Sequence, residues 1–316
     1  MIVIDKAQID RALSWPLLVD ALDQGHRLGR GRTADLLLTE GEDALLNRAA
    51  WKPGYGLGLK TVSCFFGNPR RTPPLPSVQG LFVLFDPEDG RPLAVIDGAG
   101  ITAWKTAADS ALGSRYLSRP DARRLLLAGA GAMARPLIHA HLCVRPGIEQ
   151  IAIWNRTPAR AAALADELRT KGLAVEVAAD LAAAVGSADI ISCATMSQEP
   201  LIRGEWLRPG AHLDLVGAFT ATMREADDAA IRRGRLFVDA RETTIEHVGE
   251  LMIPIAKGVI RAEDVVADLY DLAAGLPWQR TANDITLFKN GGGAHLDLMT
   301  ALAIYRAVSG EGAVAP

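Results

Sequence analysis

Cysteine is scarce in this chain: Cys64, Cys143 and Cys193 are scattered over 316 residues. That spacing supplies neither a disulfide framework nor a thiolate metal site. Aromatic residues make up only 5% of the sequence while Ala, Leu and Gly abound, which disfavours an all-β shell and suits an α/β enzyme. No apolar run reaches the ~20 residues that a membrane-spanning helix needs. The N-terminal MIVIDKAQID lacks the charged-then-apolar order of a targeting peptide. Charge of one sign is also missing, with 34 Lys and Arg against 37 Asp and Glu, interspersed, for a net charge of −3. Nothing here resembles the basic face of a nucleic-acid binder. The expectation is a soluble, cytoplasmic protein with no nucleic-acid or membrane partner. Nor is a metal expected, since His139 and His141, two apart on a helix, cannot face one ligand together.

What is present is length and apolar content, 49% of the residues, enough for two domains in one chain. Ser14 before WPLLVDALDQGHRL reads as an N-cap, with Pro16 tolerated in the first turn. From Leu36 to Asp97 the stretches ADLLLTE, LGLKTVSCFF, SVQGLFVLFD and PLAVID are broken by GNPRRTPPLP and DPEDGRP, the texture of an antiparallel sheet. An Ala-rich helix is expected from Thr102 to Tyr116. Beyond it RRLLLAGA, MARPLIHAHL, IEQIAIWN and PARAAALADELRT alternate strand with helix. The alternation continues through AVEVAA, DLAAAVGSA, DIISCAT, HLDLVGA and RLFVDA, which predicts a parallel sheet covered by helices. ITLFKNGGGAHLDLMTALAIYRAVSG closes the chain with a Gly-rich turn and a helix.

The stretch RLLLAGAGAMARPLIHA contains Gly129-x-Gly131-x-x-Ala134 between a strand and a helix. The first glycine makes the turn, and the second lets the backbone approach a pyrophosphate. Ala134 permits close packing, and the helix N-terminus, with Ala132 and Met133, offers N–H groups to phosphates. Where an NAD-binding strand ends in a carboxylate, this chain has Asn155-Arg156-Thr157, with Arg160 nearby. An amide, a guanidinium and a hydroxyl suit a 2′-phosphate, so NADPH is expected, with NADH weaker.

With GLGLKTV, LPSVQGLFVLFD, ITAWKTAADSAL, LLLAGAGAMA, IAIWNRT, GEWLRPGAHLDLVGA and ITLFKNGGGAHLDL in this order, the chain resembles the ornithine cyclodeaminase/μ-crystallin family along its whole length. The resemblance implies a Rossmann dinucleotide-binding domain, placed at 116–290. It also implies a discontinuous α+β substrate and dimerisation domain at 1–115, completed by 291–316, and a homodimer. Lys60 then matches the lysine that meets the substrate carboxylate and reacting nitrogen. Read without the family, it is a strand lysine that faces either water or, desolvated, a site. Ser77, Thr195, Leu215 and Val216 match positions lining the cofactor, and Gly291 and Gly292 match a turn closing over nicotinamide and substrate. Arg32 and Arg48 are rival candidates for a second carboxylate-binding arginine, with Arg48 in the favoured position. His295, in the closing turn, is expected to cap or pack.

Two departures bear on the reaction. Where the family usually has an arginine in TAxRTAA, this chain has Lys105, which keeps the charge but loses the bidentate fork. Asp109, four residues on, offers it an ordinary helical pair, and a lysine near the expected helix start opposes the dipole. Phe219 stands where cyclodeaminases carry an aspartate, and Asn47 aligns with their glutamate upstream of the lysine. Phenylalanine cannot act as a general base. These losses point to an imine oxidoreductase, with Lys60 and Lys105 catalytic. Its expected reaction is NADPH-dependent reduction of a cyclic ketimine carboxylate, Δ1-pyrroline-2-carboxylate to L-proline or Δ1-piperideine-2-carboxylate to L-pipecolate. Rival readings are ornithine cyclodeaminase, an amino-acid dehydrogenase, and a μ-crystallin-like NADPH and small-ligand binder.

Overall fold

The computed structural model describes residues 1–310, which form two compact units. The first comprises Met1–Lys105 and the C-terminal stretch from Gly293; the second is Thr106–Gly292. The chain opens with β1 (Ile2–Ile4), α1 (Lys6–Ala12) and α2 (Trp15–Arg27), the last capped by the Ser14 side chain as its sequence predicts. Then come β2 (Arg32–Glu40), β3 (Asp43–Lys52), β4 (Gly56–Cys64), β5 (Val78–Phe85), β6 (Pro92–Asp97) and α3 (Gly98–Leu117). The six strands make one sheet in the order β1-β6-β5-β4-β3-β2, antiparallel except for the β1–β6 pair. Strand β3 is the element the sequence texture hides, because polar Asn47 and Arg48 interrupt its apolar pattern.

Register decides which residues share a face. Asp35, Arg48, Lys60, Phe82, Ile96 and Ile4 pair in one continuous row across the sheet. Cross-strand partners point to the same side, and Lys60, Phe82, Ile96 and Ile4 are buried on it. On the opposite side Leu36, Leu38, Leu45, Trp51 and Leu81 are exposed.

In the second unit the order is β7 (Arg124–Ala128), α4 (Ala134–Val144), β8 (Gln150–Trp154), α5 (Pro158–Thr170), β9 (Val175–Val177), α6 (Leu181–Ser187) and β10 (Ile190–Cys193). It continues with β11 (His212–Leu215), α7 (Asp228–Arg233), β12 (Arg235–Val238), α8 (Arg241–Thr244), α9 (Gly249–Ala256), β13 (Val265–Asp268), α10 (Leu269–Ala273) and β14 (Thr286–Lys289). Eight strands form a wholly parallel sheet, β13-β12-β14-β11-β10-β7-β8-β9. Strand order reverses between β7 and β10, the crevice where doubly wound sheets bind ligands. The chain then returns to the first unit as α11 (Ala294–Ser309), which packs on α2 and on strands β3, β4 and β5. This is the α/β fold expected: a Rossmann sheet and a discontinuous α+β unit.

Two boundaries differ from expectation. The helix expected from Thr102 begins at Gly98, so Lys105 lies in the second turn or beyond, where the terminal dipole no longer opposes it. The division expected after residue 115 falls between Lys105 and Thr106. The reason is that the later part of α3 packs on the parallel sheet: a Cβ on Gly113 would lie 2.7 Å from the Phe288 ring. The carbonyls at that helix end are satisfied by the buried Arg145 guanidinium, which donates to Ser114, Arg115 and Ser118 at 2.9 Å each.

Candidate functional site

In the first unit, alternation along β4 turns Lys60 inward, where it is 6% exposed. Its Nζ donates to Thr102 Oγ1 at 2.8 Å and to Asp297 Oδ1 at 3.1 Å. Thr102 in turn donates to the Gly98 carbonyl, so the first turns of α3 hold the lysine head. Lys105, also buried, reaches the same Asp297 oxygen at 3.1 Å. Lys105 thus meets a carboxylate beyond its own helix, Asp297 on α11. The side chain of Asp297 is fully buried, beneath lysines whose side chains keep 8% and 7% exposure.

The electrostatics follow from this burial. Desolvation pushes Lys60 down to about 8, with Asp297 pulling upward and Lys105 pushing further down. Burial would raise Asp297, but Lys105 and Lys60 reverse that and hold it below the usual carboxylate range. Two ammonium groups share one carboxylate oxygen, and a small carboxylate is a ligand that both could hold.

The register separates the two arginine candidates. Arg48 pairs with Lys60 across β3 and β4 and shares its face, while Arg32 pairs with Trp51 and lies on the opposite face. Arg48 is already engaged, its Nε 3.0 Å from Asp35. Asn47 pairs with Thr61 and so points away from Lys60. His295 is buried, edge-on to His26, and burial holds it well below its ordinary value, a packing role. Ser77 precedes β5, half-buried, and its carbonyl accepts from Phe65 N–H.

In the second unit, the strand–turn–helix at residues 124–144 has the form its glycines predict. Gly129 adopts φ +115°, and a Cβ there would lie 2.6 Å from the Ala194 carbonyl at the end of β10. At Gly131 a Cβ would meet nothing within 4 Å: the backbone is open on the side from which a phosphate would come. Met133 caps α4 without a side-chain hydrogen bond, which leaves first-turn N–H groups to an anion. These features fit a dinucleotide pyrophosphate. Asn155 has an internal task, accepting from Ala130 N–H at 3.1 Å and donating to the Thr157 carbonyl at 2.9 Å. Arg156, Thr157 and Arg160 are exposed beside it.

Three buried carboxylates that sequence reasoning missed hold the remaining candidate positions. Glu225 accepts from Thr195 N–H and Oγ1 and from Gly217 N–H, tying together the segments after β10 and β11. Glu250, pushed up to about 7 by burial and by Glu225, accepts from the N–H groups of Glu225 and Ala226. Asp239 accepts from Gly291 and Gly292 N–H at 3.1 and 2.6 Å and from Thr244 Oγ1, fixing the closing turn. Leu215 carries its part through its carbonyl, which accepts from buried Lys289 Nζ at 2.7 Å, and Val216 N–H donates to Cys193. Nothing local marks the three as buried: Glu225 lies beside Arg224, Asp227 and Asp228, and Asp239 just before Arg241 and Glu242, in stretches rich in charge. Among the described residues no three His, Cys, Asp or Glu side chains converge as a metal site, and no helix is long and apolar enough to cross a membrane.

Because Gly131 is open, Gly131→Val is expected to fold with an unchanged melting temperature while filling the space where a pyrophosphate would lie. Titration with NADPH and NADH should show loss of both. Retained binding in the folded variant would refute this assignment of the loop.

Comparison with known proteins places the sequence and fold of this chain. Residues 50–312 match the ornithine cyclodeaminase/mu-crystallin family. A Delta(1)-pyrroline-2-carboxylate reductase of Paracoccus denitrificans is 50% identical over 301 residues, 94% of each chain. The Thermococcus litoralis Delta(1)-pyrroline-2-carboxylate reductase, solved with NADH and L-proline, superposes with a TM-score of 0.91 at 28% identity, covering 99% of this chain and 98% of that one. An archaeal alanine dehydrogenase dimer with bound NAD reaches 0.90 at 26% identity, covering 98% of this chain and 96% of that one. Matched along nearly its entire length in both sequence and fold, this chain belongs to the ornithine cyclodeaminase/mu-crystallin family.

Proposed function

We propose that this protein is an oxidoreductase that reduces cyclic ketimine carboxylates at the expense of a nicotinamide dinucleotide. Its main reaction is Δ1-pyrroline-2-carboxylate to L-proline, with Δ1-piperideine-2-carboxylate to L-pipecolate as a second. The observation that carries the reading is the buried Lys60–Asp297–Lys105 cluster, in which two ammonium groups share one carboxylate oxygen. It is supported by the 50% identity to a reductase of that name.

The chemistry asked of the chain is modest. Lys60 and Lys105 hold the substrate carboxylate, which fixes the position of C2 beside it. The cyclic imine enters protonated at nitrogen, so the chain needs no general base, and Phe219 in place of an aspartate is no obstacle. When bound, the dinucleotide supplies hydride to C2, and the C=N π pair becomes the amine lone pair. The glycine loop of residues 129–134 and the N-terminus of α4 would hold its pyrophosphate. Exposed Arg156, Thr157 and Arg160 favour a 2′-phosphate, hence NADPH over NADH. Cys64, Cys143 and Cys193 form no disulfide, which suits a reducing, cytoplasmic setting.

The exposed leucine-rich face of the first unit's sheet is read as the seat of a second copy of this chain. Leu36, Leu38, Leu45, Trp51 and Leu81 share it, with exposures from 37% to 55%. Apolar sheet faces of this kind are normally covered, and the alanine dehydrogenase of the same fold is a dimer. Sedimentation should show a dimer, and Leu36→Asp with Leu45→Asp should give monomer. A monomeric wild-type chain would contradict this.

The activity is tested by following dinucleotide oxidation with a cyclic ketimine, with a keto acid plus ammonia, and by ammonia release from ornithine. Cyclic ketimine reduction with NADPH is expected to dominate. Arg156→Ala should erode the NADPH preference and spare NADH turnover. Lys60→Met should lower kcat/KM by about 30- to 1,000-fold, on the order of 2–4 kcal/mol, with dinucleotide binding intact. Robust ammonia release from ornithine would favour a cyclodeaminase, and dinucleotide binding without turnover on any substrate would favour a binding protein.

A further inference from the structure

We propose that Asp297 is the positioning residue that gathers Lys60 and Lys105 into a two-ammonium clamp for the substrate carboxylate, standing in for the arginine fork that Lys105 lacks. The inference rests on the reading of this cluster as the carboxylate site.

Both ammonium groups bond the same atom, Asp297 Oδ1, each at 3.1 Å. An arginine carries its two parallel donors on one rigid plane, whereas a lysine brings a single rotating head on a flexible stem. Two lysines therefore need a third group to bring their heads together and to offset their mutual repulsion. Asp297 does both from beneath, and since it is fully buried it acts only through the lysines. Thr102 fixes the Lys60 head from α3.

The charged surroundings define what removing Asp297 does. Facing Lys60 are Arg48 from β3, itself tied to Asp35 on β2, Lys105 from α3, and Asp297 from α11. His295 on α11, held well below its ordinary value, is uncharged. Asp297 is thus the carboxylate that both lysines share, while Asp109 on α3, also buried, lies four residues from Lys105. With Lys60 already pushed down to about 8, the clamp loses one of its charges as pH rises through that value, and KM for the carboxylate substrate rises there. Without the Asp297 charge the same loss comes at lower pH.

The test is the pH dependence of KM for Δ1-pyrroline-2-carboxylate in the wild type, in Asp297→Asn, and in Asp297→Asn combined with Lys105→Arg. In the wild type KM should begin to rise near pH 8. In Asp297→Asn the rise should move to lower pH by about one unit or more, and KM at neutral pH should increase about tenfold or more, with a smaller effect on kcat. Restoring the fork through Lys105→Arg should recover most of the lost KM. A wild-type profile in Asp297→Asn, or no rescue by the arginine, would overturn the proposal. If Asp297→Asn fails to fold, Asp297→Asn with Lys105→Met keeps the cluster's charge balance. It should shift the pH limb less than Asp297→Asn alone while raising KM, and a normal KM would refute the clamp. If the wild type reduces no cyclic ketimine, the proposed function fails instead. The same pH series read by calorimetry on L-proline binding then decides the clamp by itself, a shifted limb in Asp297→Asn supporting it and an unshifted one refuting it.

Discussion

One buried carboxylate shared by two buried lysines is the constraint on which the rest of the site depends. Taking three charged groups out of water is costly, and the geometry repays it only while all three are present. Asp297 stabilises two ammonium groups that would otherwise repel, and it keeps both heads together for an anionic ligand. Had the chain lacked Asp297, Lys60 would lose its proton at lower pH.

The fold exists in good part to assemble that trio. Lys60 and Asp297 are 237 residues apart, and they meet because the chain leaves the first sheet, builds the parallel sheet of the second unit, and returns as α11. Strand alternation turns Lys60 inward, and packing of α11 on β3, β4 and β5 brings Asp297 under it. In the second unit the same economy recurs with carboxylates. Glu225 and Asp239 hold the strand-end segments that carry Thr195, Gly217, Gly291 and Gly292.

Much of this was legible in the amino-acid order. Gly129 and Gly131 announce a strand–turn–helix because positive φ and an open backbone have few other uses, and the alternating segments after Tyr116 announce a parallel sheet. Lys60 stood out by its motif, but its orientation depended on register, which no local pattern reveals. Strand β3 was hidden because Asn47 and Arg48 sit where an apolar run was sought, and without β3 the Arg32–Arg48 ambiguity could not be resolved. Asp297 was missed for a different reason. An acid in the first turn of a helix is ordinary, since it complements the dipole, and nothing local shows that this one is buried against lysines from two distant elements. Asn155, expected at the cofactor, also bonds the loop itself through Ala130 N–H and the Thr157 carbonyl; side-chain to backbone bonds of this kind emerge only once the strands are aligned.

The most direct measurement is the titration of the Lys60 ammonium by nitrogen-15 NMR, assigned through its loss in Lys60→Met, with and without L-proline. The account predicts a midpoint near 8 in the free protein, well under the ordinary 10.5, moving upward when the carboxylate binds. A lysine that titrates at its ordinary value and does not respond to L-proline would contradict the claim that this buried cluster is the carboxylate site.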